Sequence, residues 1–115
     1  MAKTYTILVA DDDMSNVQTI LGYLRNAPDQ YKILNAPNGE VAVQIAEKAQ
    51  PDLIIMDWEM PVMDGVEATM QIKARHDTKD IPIIMTTGHM TSGESLYDAL
   101  SIGAMDYIRK PIDKF

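Results

Sequence analysis

The sequence predicts an α/β fold, a doubly wound parallel sheet of five strands, on three observations. Short apolar runs alternate along the chain with helical patterns, the signature of a parallel sheet wrapped by helices. One of these runs, Leu53 to Met56, is apolar without alternation, as in a strand buried on both faces. Two of the runs stop abruptly on carboxylates, at Asp57 and at Asp11, Asp12 and Asp13. Chemistry in open parallel sheets gathers outside the carboxyl ends of the strands, so these termini mark the region where a site would form.

The five expected strands are Tyr5 to Ala10, Lys32 to Asn35, Leu53 to Asp57, Ile83 to Thr87 and Asp106 to Arg109, each bounded by turn residues. The first helix carries Val17, Ile20, Leu21 and Leu24 at the spacing of one buried stripe and stops near Asn26-Ala27-Pro28. A second helix follows Asn38-Gly39, with Val41, Ala42, Ile45, Ala46 and Ala49 on one face, and ends before Pro51. Asp64 is the expected N-cap of a third helix, although Val66, Ala68, Met70 and Ile72 fit the helical period less cleanly. A fourth opens with a capping box, Thr91 and Glu94, and turns Leu96, Ala99 and Leu100 inward before Gly103.

The chain, 115 residues with 46% hydrophobic residues, suits one domain, 1–115. Only Ile112, Asp113, Lys114 and Phe115 follow Lys110-Pro111, too few for a fifth helix, so the fold is expected to be truncated or to end after the fifth strand. Right-handed crossovers place helices on both sides of a sheet, and a missing one leaves a face less covered. Either the natural protein continues or something else covers that face; such a patch would favour a homodimer or domain swapping. No apolar stretch approaches the roughly 18 residues of a spanning helix, and no signal-peptide pattern opens the chain, so no membrane partner is expected. The absence of cysteine excludes a disulfide framework and thiolate metal sites, and cytoplasm is the default location. A net charge of -7 argues against direct nucleic-acid binding by this segment, because phosphate contacts need clustered Lys and Arg.

If the strands lie parallel, their ends bring together the carboxylates of Asp11 to Asp13 and Asp57, the hydroxyls of Thr86 and Thr87, and the ammonium of Lys110. That set can hold a divalent cation and a phosphoryl group. Each member has a plainer reading when taken alone. Carboxylates before a helix cap it, which remains the preferred role of Asp13 and Asp64. Lys110 alone is a solvated lysine, and Thr86 an ordinary strand residue. Tyr107 alone is a half-buried edge aromatic. The nine methionines are core filler and loop anchors, Met60 and Met63 around Pro61 among them. His76 and His89 have no third His or Cys to make a zinc site.

Taken together and in order, the acidic pair Asp11-Asp12, the segment Asp57-Trp58-Glu59-Met60-Pro61-Val62-Met63-Asp64-Gly65, Thr87, and Lys110-Pro111 resemble the receiver domain of two-component response regulators. The match runs from about Thr6 to Pro111. The resemblance implies the flavodoxin-like strand order 2-1-3-4-5. It implies that Asp57 accepts a phosphoryl group from a histidine kinase or a histidine phosphotransfer protein, that Mg²⁺ is held by Asp12, Asp57 and the backbone carbonyl of Glu59, and that Asp11 acts mostly through water. It further implies that Lys110 pairs with a phosphoryl oxygen and that Thr87 donates its hydroxyl to another. Gly88 stands where the family usually has Ala, and removes a Cβ beside that hydroxyl. Tyr107 matches the aromatic that turns inward when the Thr hydroxyl moves, so modification would change the face of helix four and strand five for an output domain or downstream protein. Glu59 and His89 flank the path of attacking water and tune the lifetime of the acyl phosphate.

Two other readings compete. Asp11-Asp12-Asp13 loosely resembles the Asp-x-Asp motif of haloacid-dehalogenase-type Mg²⁺ phosphohydrolases, which would make Asp11 the nucleophile, but that leaves Asp57 and its proline loop unexplained. A pseudo-receiver would bind partners without being phosphorylated, against which the intact acidic, Thr and Lys positions argue.

Overall fold

A computed structural model describes residues 4–25, 30–87, 103 and 106–109. The chain order is β1 (Thr4–Ala10), α1 (Met14–Arg25), β2 (Gln30–Ala36), α2 (Gly39–Ala49), β3 (Leu53–Asp57), α3 (Gly65–Ala74), β4 (Ile83–Thr87) and β5 (Asp106–Arg109). Strands β1 to β4 form a parallel sheet in the order β2-β1-β3-β4, a flavodoxin-like α/β arrangement, and the backbone of β5 pairs parallel to β4. The expected fourth helix lies outside the described residues.

The two-residue period of the strands sorts the core. Leu8, Ala10, Ile54, Met56, Ile83 and Met85 point to one face, where α2 covers them with Ala42, Val43 and Ala46 and α3 with Ala68 and Ile72. Ile7, Val9 and Ile55 point to the other face, against Val17 and Ile20 of α1. Beyond α1, on that second face, an open hollow of about 410 Å³ is lined by Tyr5, Ile7, Tyr31, Asp52 and Leu53.

Strand β3 has the expected bounds, and β2 runs further at both ends than the expected Lys32 to Asn35. Helix α3 is present despite its poor apolar period. Its inner stripe is Gly65, Ala68, Thr69 and Ile72, spaced i, i+3, i+4, i+7. Thr69 is fully buried and donates its hydroxyl to Met85 Sδ at 3.5 Å, whereas Met70 is exposed. Hydrophobicity alone therefore misplaces the face. Ala49, expected on the inner face of α2, is also exposed, being the helix's last residue.

Candidate functional site

Register brings the acidic residues together. Ala10 of β1 stands opposite Met56 of β3, so the next residues, Asp11 and Asp57, leave the sheet side by side at its carboxyl edge. Asp11 is 3% exposed and Asp57 4%, while Asp12 is exposed, so the site opens to solvent on the Asp12 side. One carboxylate oxygen from each of Asp11, Asp12 and Asp57 lies within 4.8 Å of the other two.

Like charges at that separation repel, and an oxygen-only donor set is what a hard divalent cation requires. Mg²⁺ with bonds of about 2.1 Å in octahedral geometry spaces its oxygen ligands by about 3 to 4 Å, inside the 4.8 Å that bounds the separations of these carboxylate oxygens. The residues present therefore fit the ion.

Asp13 behaves as a cap. Its Oδ1 accepts from the Ser15 amide at 2.9 Å and the Ser15 hydroxyl at 2.7 Å, and its own amide donates to Asp11 Oδ1 at 2.9 Å. Asp64 caps α3, accepting from the Glu67 amide at 2.9 Å, and Asn38 caps α2 in the same way through the Val41 amide. Both are followed by a glycine whose amide does a second job. Gly65 donates to the Trp58 carbonyl at 2.9 Å, and Gly39 donates to the Met63 carbonyl at 2.8 Å. The first amides of two helices thus hold the two ends of the loop that leaves Asp57.

Between those ends the loop makes a γ-turn, with the Met63 amide donating to the Pro61 carbonyl at 2.7 Å around Val62 at φ 69°. A β-branched residue at positive φ is an outlier costing roughly 1 to 3 kcal/mol, tolerated only where surroundings impose it. Val62 is exposed, while Met60 and Met63 pack on the core beneath α2 and α3, as loop anchors should. Neither the turn nor the paired glycine clamps follow from a reading of residue types; the only signal is the repeated cap-glycine pair, Asn38-Gly39 and Asp64-Gly65.

On the other side of Asp57, Thr86 is its register partner in β4, and Thr87 is the last residue of that strand. Both are buried. Glu59 lies exposed in the loop. The backbone of Tyr107 pairs with Met85, and that of Arg109 with Thr87. Lys110, one residue further on, lies outside the described residues, as do Gly88, His89 and Pro111.

Comparison with known proteins agrees with this geometry. A family model described as the response regulator receiver domain matches residues 7–115. The transcriptional regulatory protein YdfI of Bacillus subtilis is 40% identical over 105 residues, covering 90% of this chain and 47% of that protein. A protein-glutamate methylesterase/protein-glutamine glutaminase of Pseudoalteromonas atlantica is 37% identical over 110 residues, covering 95% of this chain and 28% of that protein. The chain thus spans less than half the length of these relatives. The solved receiver domain of the sensor histidine kinase PA1611 from Pseudomonas aeruginosa, with a magnesium ion coordinated in its active-site cleft, is 32% identical and superposes with a TM-score of 0.83 over 96% of this chain and 88% of its own. This chain belongs to the response regulator receiver domain family, the receivers of two-component signalling.

Proposed function

We propose that the chain, read as one receiver domain over 1–115, is a phosphorylation-dependent switch whose phosphoacceptor is Asp57. The observation that carries this reading is the convergence of the Asp11, Asp12 and Asp57 carboxylates at the carboxyl edge of β1 and β3. The family binds Mg²⁺ in its acidic site, and here Asp12, Asp57 and the Glu59 carbonyl would hold it directly, with Asp11 acting through water. When bound, the ion neutralises phosphoryl oxygens.

Asp57 then acts as nucleophile. One carboxylate oxygen attacks phosphorus of a phosphohistidine, a P–O bond forms as the P–N bond breaks, and the histidine nitrogen departs with its electron pair. The product is an acyl phosphate on Asp57. Near-complete burial of that carboxylate limits the approach of other nucleophiles, and the hydrogen bond from Trp58 to Thr86 fixes the backbone behind it. Lys110 and Thr87 would take the remaining phosphoryl oxygens, and Tyr107 would follow the Thr87 hydroxyl. Glu59 and His89 would set how fast water hydrolyses the acyl phosphate to the free Asp57 carboxylate and inorganic phosphate. The phosphodonor is a histidine kinase or phosphotransfer protein, and the output passes to another domain or a downstream protein. A five-stranded sheet of order 2-1-3-4-5 belongs to this reading, supported by the pairing of β5 with β4.

The phosphohydrolase alternative through Asp11 is not favoured, because the family match covers Asp57 and its loop, which that reading leaves idle. The pseudo-receiver alternative is not favoured because the acidic cluster is assembled.

The test is intact mass after incubation with acetyl phosphate and Mg²⁺, beside Asp57→Asn. A Mg²⁺-dependent, hydroxylamine-labile phosphoryl adduct is expected on the parent chain and not on the variant. A chain that binds Mg²⁺ yet acquires no adduct would favour the pseudo-receiver.

A further inference from the structure

The loop that carries the Glu59 carbonyl is held at both ends by helix N-termini, and the two holds differ in kind. Gly65 closes the loop onto its own helix, α3. Gly39 belongs to α2, an element that contributes no residue to the acidic cluster. Its amide nevertheless donates to the Met63 carbonyl at 2.8 Å, next to the γ-turn at Val62. The approach is possible only because residue 39 has no side chain. A Cβ there would lie 2.4 Å from the Met63 carbonyl oxygen, 2.9 Å from that of Asp64 and 3.0 Å from the Met63 carbonyl carbon, all backbone atoms that cannot rotate away. Asn38 makes this use of the amide available, since its own side chain caps Val41 and leaves the Gly39 N–H to reach across.

We propose that Gly39 is a positioning residue for the metal site, holding the strained end of the β3–α3 loop so that the loop presents the Glu59 carbonyl to Mg²⁺. This rests on the reading of Glu59 as a backbone ligand. Val62 at positive φ returns to an ordinary backbone conformation once the Met63 carbonyl is released. The carboxylates do not share that fate, because Asp57 and Trp58 are fixed independently through Thr86 and Gly65. Losing Gly39 therefore loosens the loop that presents the Glu59 carbonyl, weakening its contribution to the metal, and leaves the acidic cluster in place.

The experiment is a Mg²⁺ titration by calorimetry on the parent chain, Gly39→Ala, Asp12→Asn and Ile72→Val. The last trims a fully buried residue of α3 and serves as a control for lost stability alone. Gly39→Ala is expected to weaken Mg²⁺ binding about tenfold, the usual scale for a residue that orients a ligand, and Ile72→Val to leave it unchanged. A parent that binds, an Asp12→Asn that does not and a Gly39→Ala equal to the parent would overturn the role of Gly39 alone. A parent that binds no Mg²⁺ sinks the metal reading and this inference with it. Should Gly39→Ala fail to fold, the parent decides: linkage is reciprocal, so Mg²⁺ must slow hydrogen exchange at the Gly39 amide by a similar factor. An exchange rate indifferent to saturating Mg²⁺ overturns the proposal.

Discussion

Asp57 stands in register with Thr86, and the amide after it, that of Trp58, donates to the Thr86 carbonyl at 2.8 Å. The β3–β4 ladder thus continues one residue past the proposed acceptor. The Gly65 amide then donates to the Trp58 carbonyl at 2.9 Å, so the residue following Asp57 is held at its N–H from β4 and at its C=O from α3. The acceptor sits at the end of a strand yet has the backbone restraint of a strand interior.

That restraint depends on residue 65 having no Cβ. One placed there would lie 2.0 Å from the Asp57 carbonyl oxygen and 3.0 Å from Met56 Cγ. The carbonyl cannot yield without breaking the ladder, so α3 must retreat. Gly65→Ala is expected to destabilise the fold by about 3 kcal/mol, at the upper end of overpacking costs. Urea unfolding followed by circular dichroism would show the midpoint falling, and an unchanged midpoint would mean the helix start is free to move.

Gly22 is the opposite case. It lies in α1 on an exposed face, and a Cβ would meet nothing within 4 Å. Gly22→Ala should raise stability by about 1 kcal/mol, the difference in helix propensity. The same urea experiment checks it, and a loss of stability would show that the exposed face of α1 is crowded by something these contacts do not include.

The two glycines also show what was legible in the sequence. The strand ends, and with them Asp11, Asp12 and Asp57, could be read directly, because an apolar run that stops on a carboxylate leaves few ways to place that charge. The caps Asp13 and Asp64 were equally plain. Residue type does not say what a Cβ would meet, so Gly22, Gly39 and Gly65 look alike until the chain is folded. The face of α3 was obscured for a related reason: Thr69 is buried because a thioether accepts its hydroxyl, and Met70 is exposed because the helix turns it outward. Val62 at positive φ is a tertiary imposition that no local preference predicts.

Lys73 gives a pH dependence remote from the acidic cluster. Its ammonium donates to the carbonyls of Lys79 (3.0 Å) and Ile81, tying the end of α3 to the segment that enters β4. Burial lowers its pKa from the ordinary 10.5, and the charge of Asp80 opposes that shift only in part. Between the lowered folded value and 10.5 the unfolded chain binds more protons than the folded one, so this residue makes stability rise with pH across that window. In Lys73→Gln that component vanishes. The difference in urea midpoint between parent and variant, followed from pH 8 upward at roughly half-unit steps, should therefore move in the parent's favour as the pH approaches the lysine range. A constant difference would mean Lys73 titrates alike in both states.

The acidic cluster predicts a change of sign. Without metal, Asp12 adds a third negative charge within 4.8 Å of two carboxylates that are almost wholly buried, and at aqueous screening each such pair costs about 1 kcal/mol. Asp12→Asn relieves the repulsion, so in EDTA the variant should melt higher than the parent. With Mg²⁺ the order reverses. An ion that binds only the folded state stabilises it by RT ln(1 + [Mg²⁺]/Kd), about 2.7 kcal/mol at a hundred times Kd, and the variant forfeits most of that term by losing a ligand. Thermal melts of both proteins with and without Mg²⁺ should therefore cross. A variant less stable than the parent in both conditions would mean Asp12 stabilises the fold apart from any metal, through contacts of its own at the start of α1. A variant more stable in both would mean the three carboxylates repel without ever recruiting the ion.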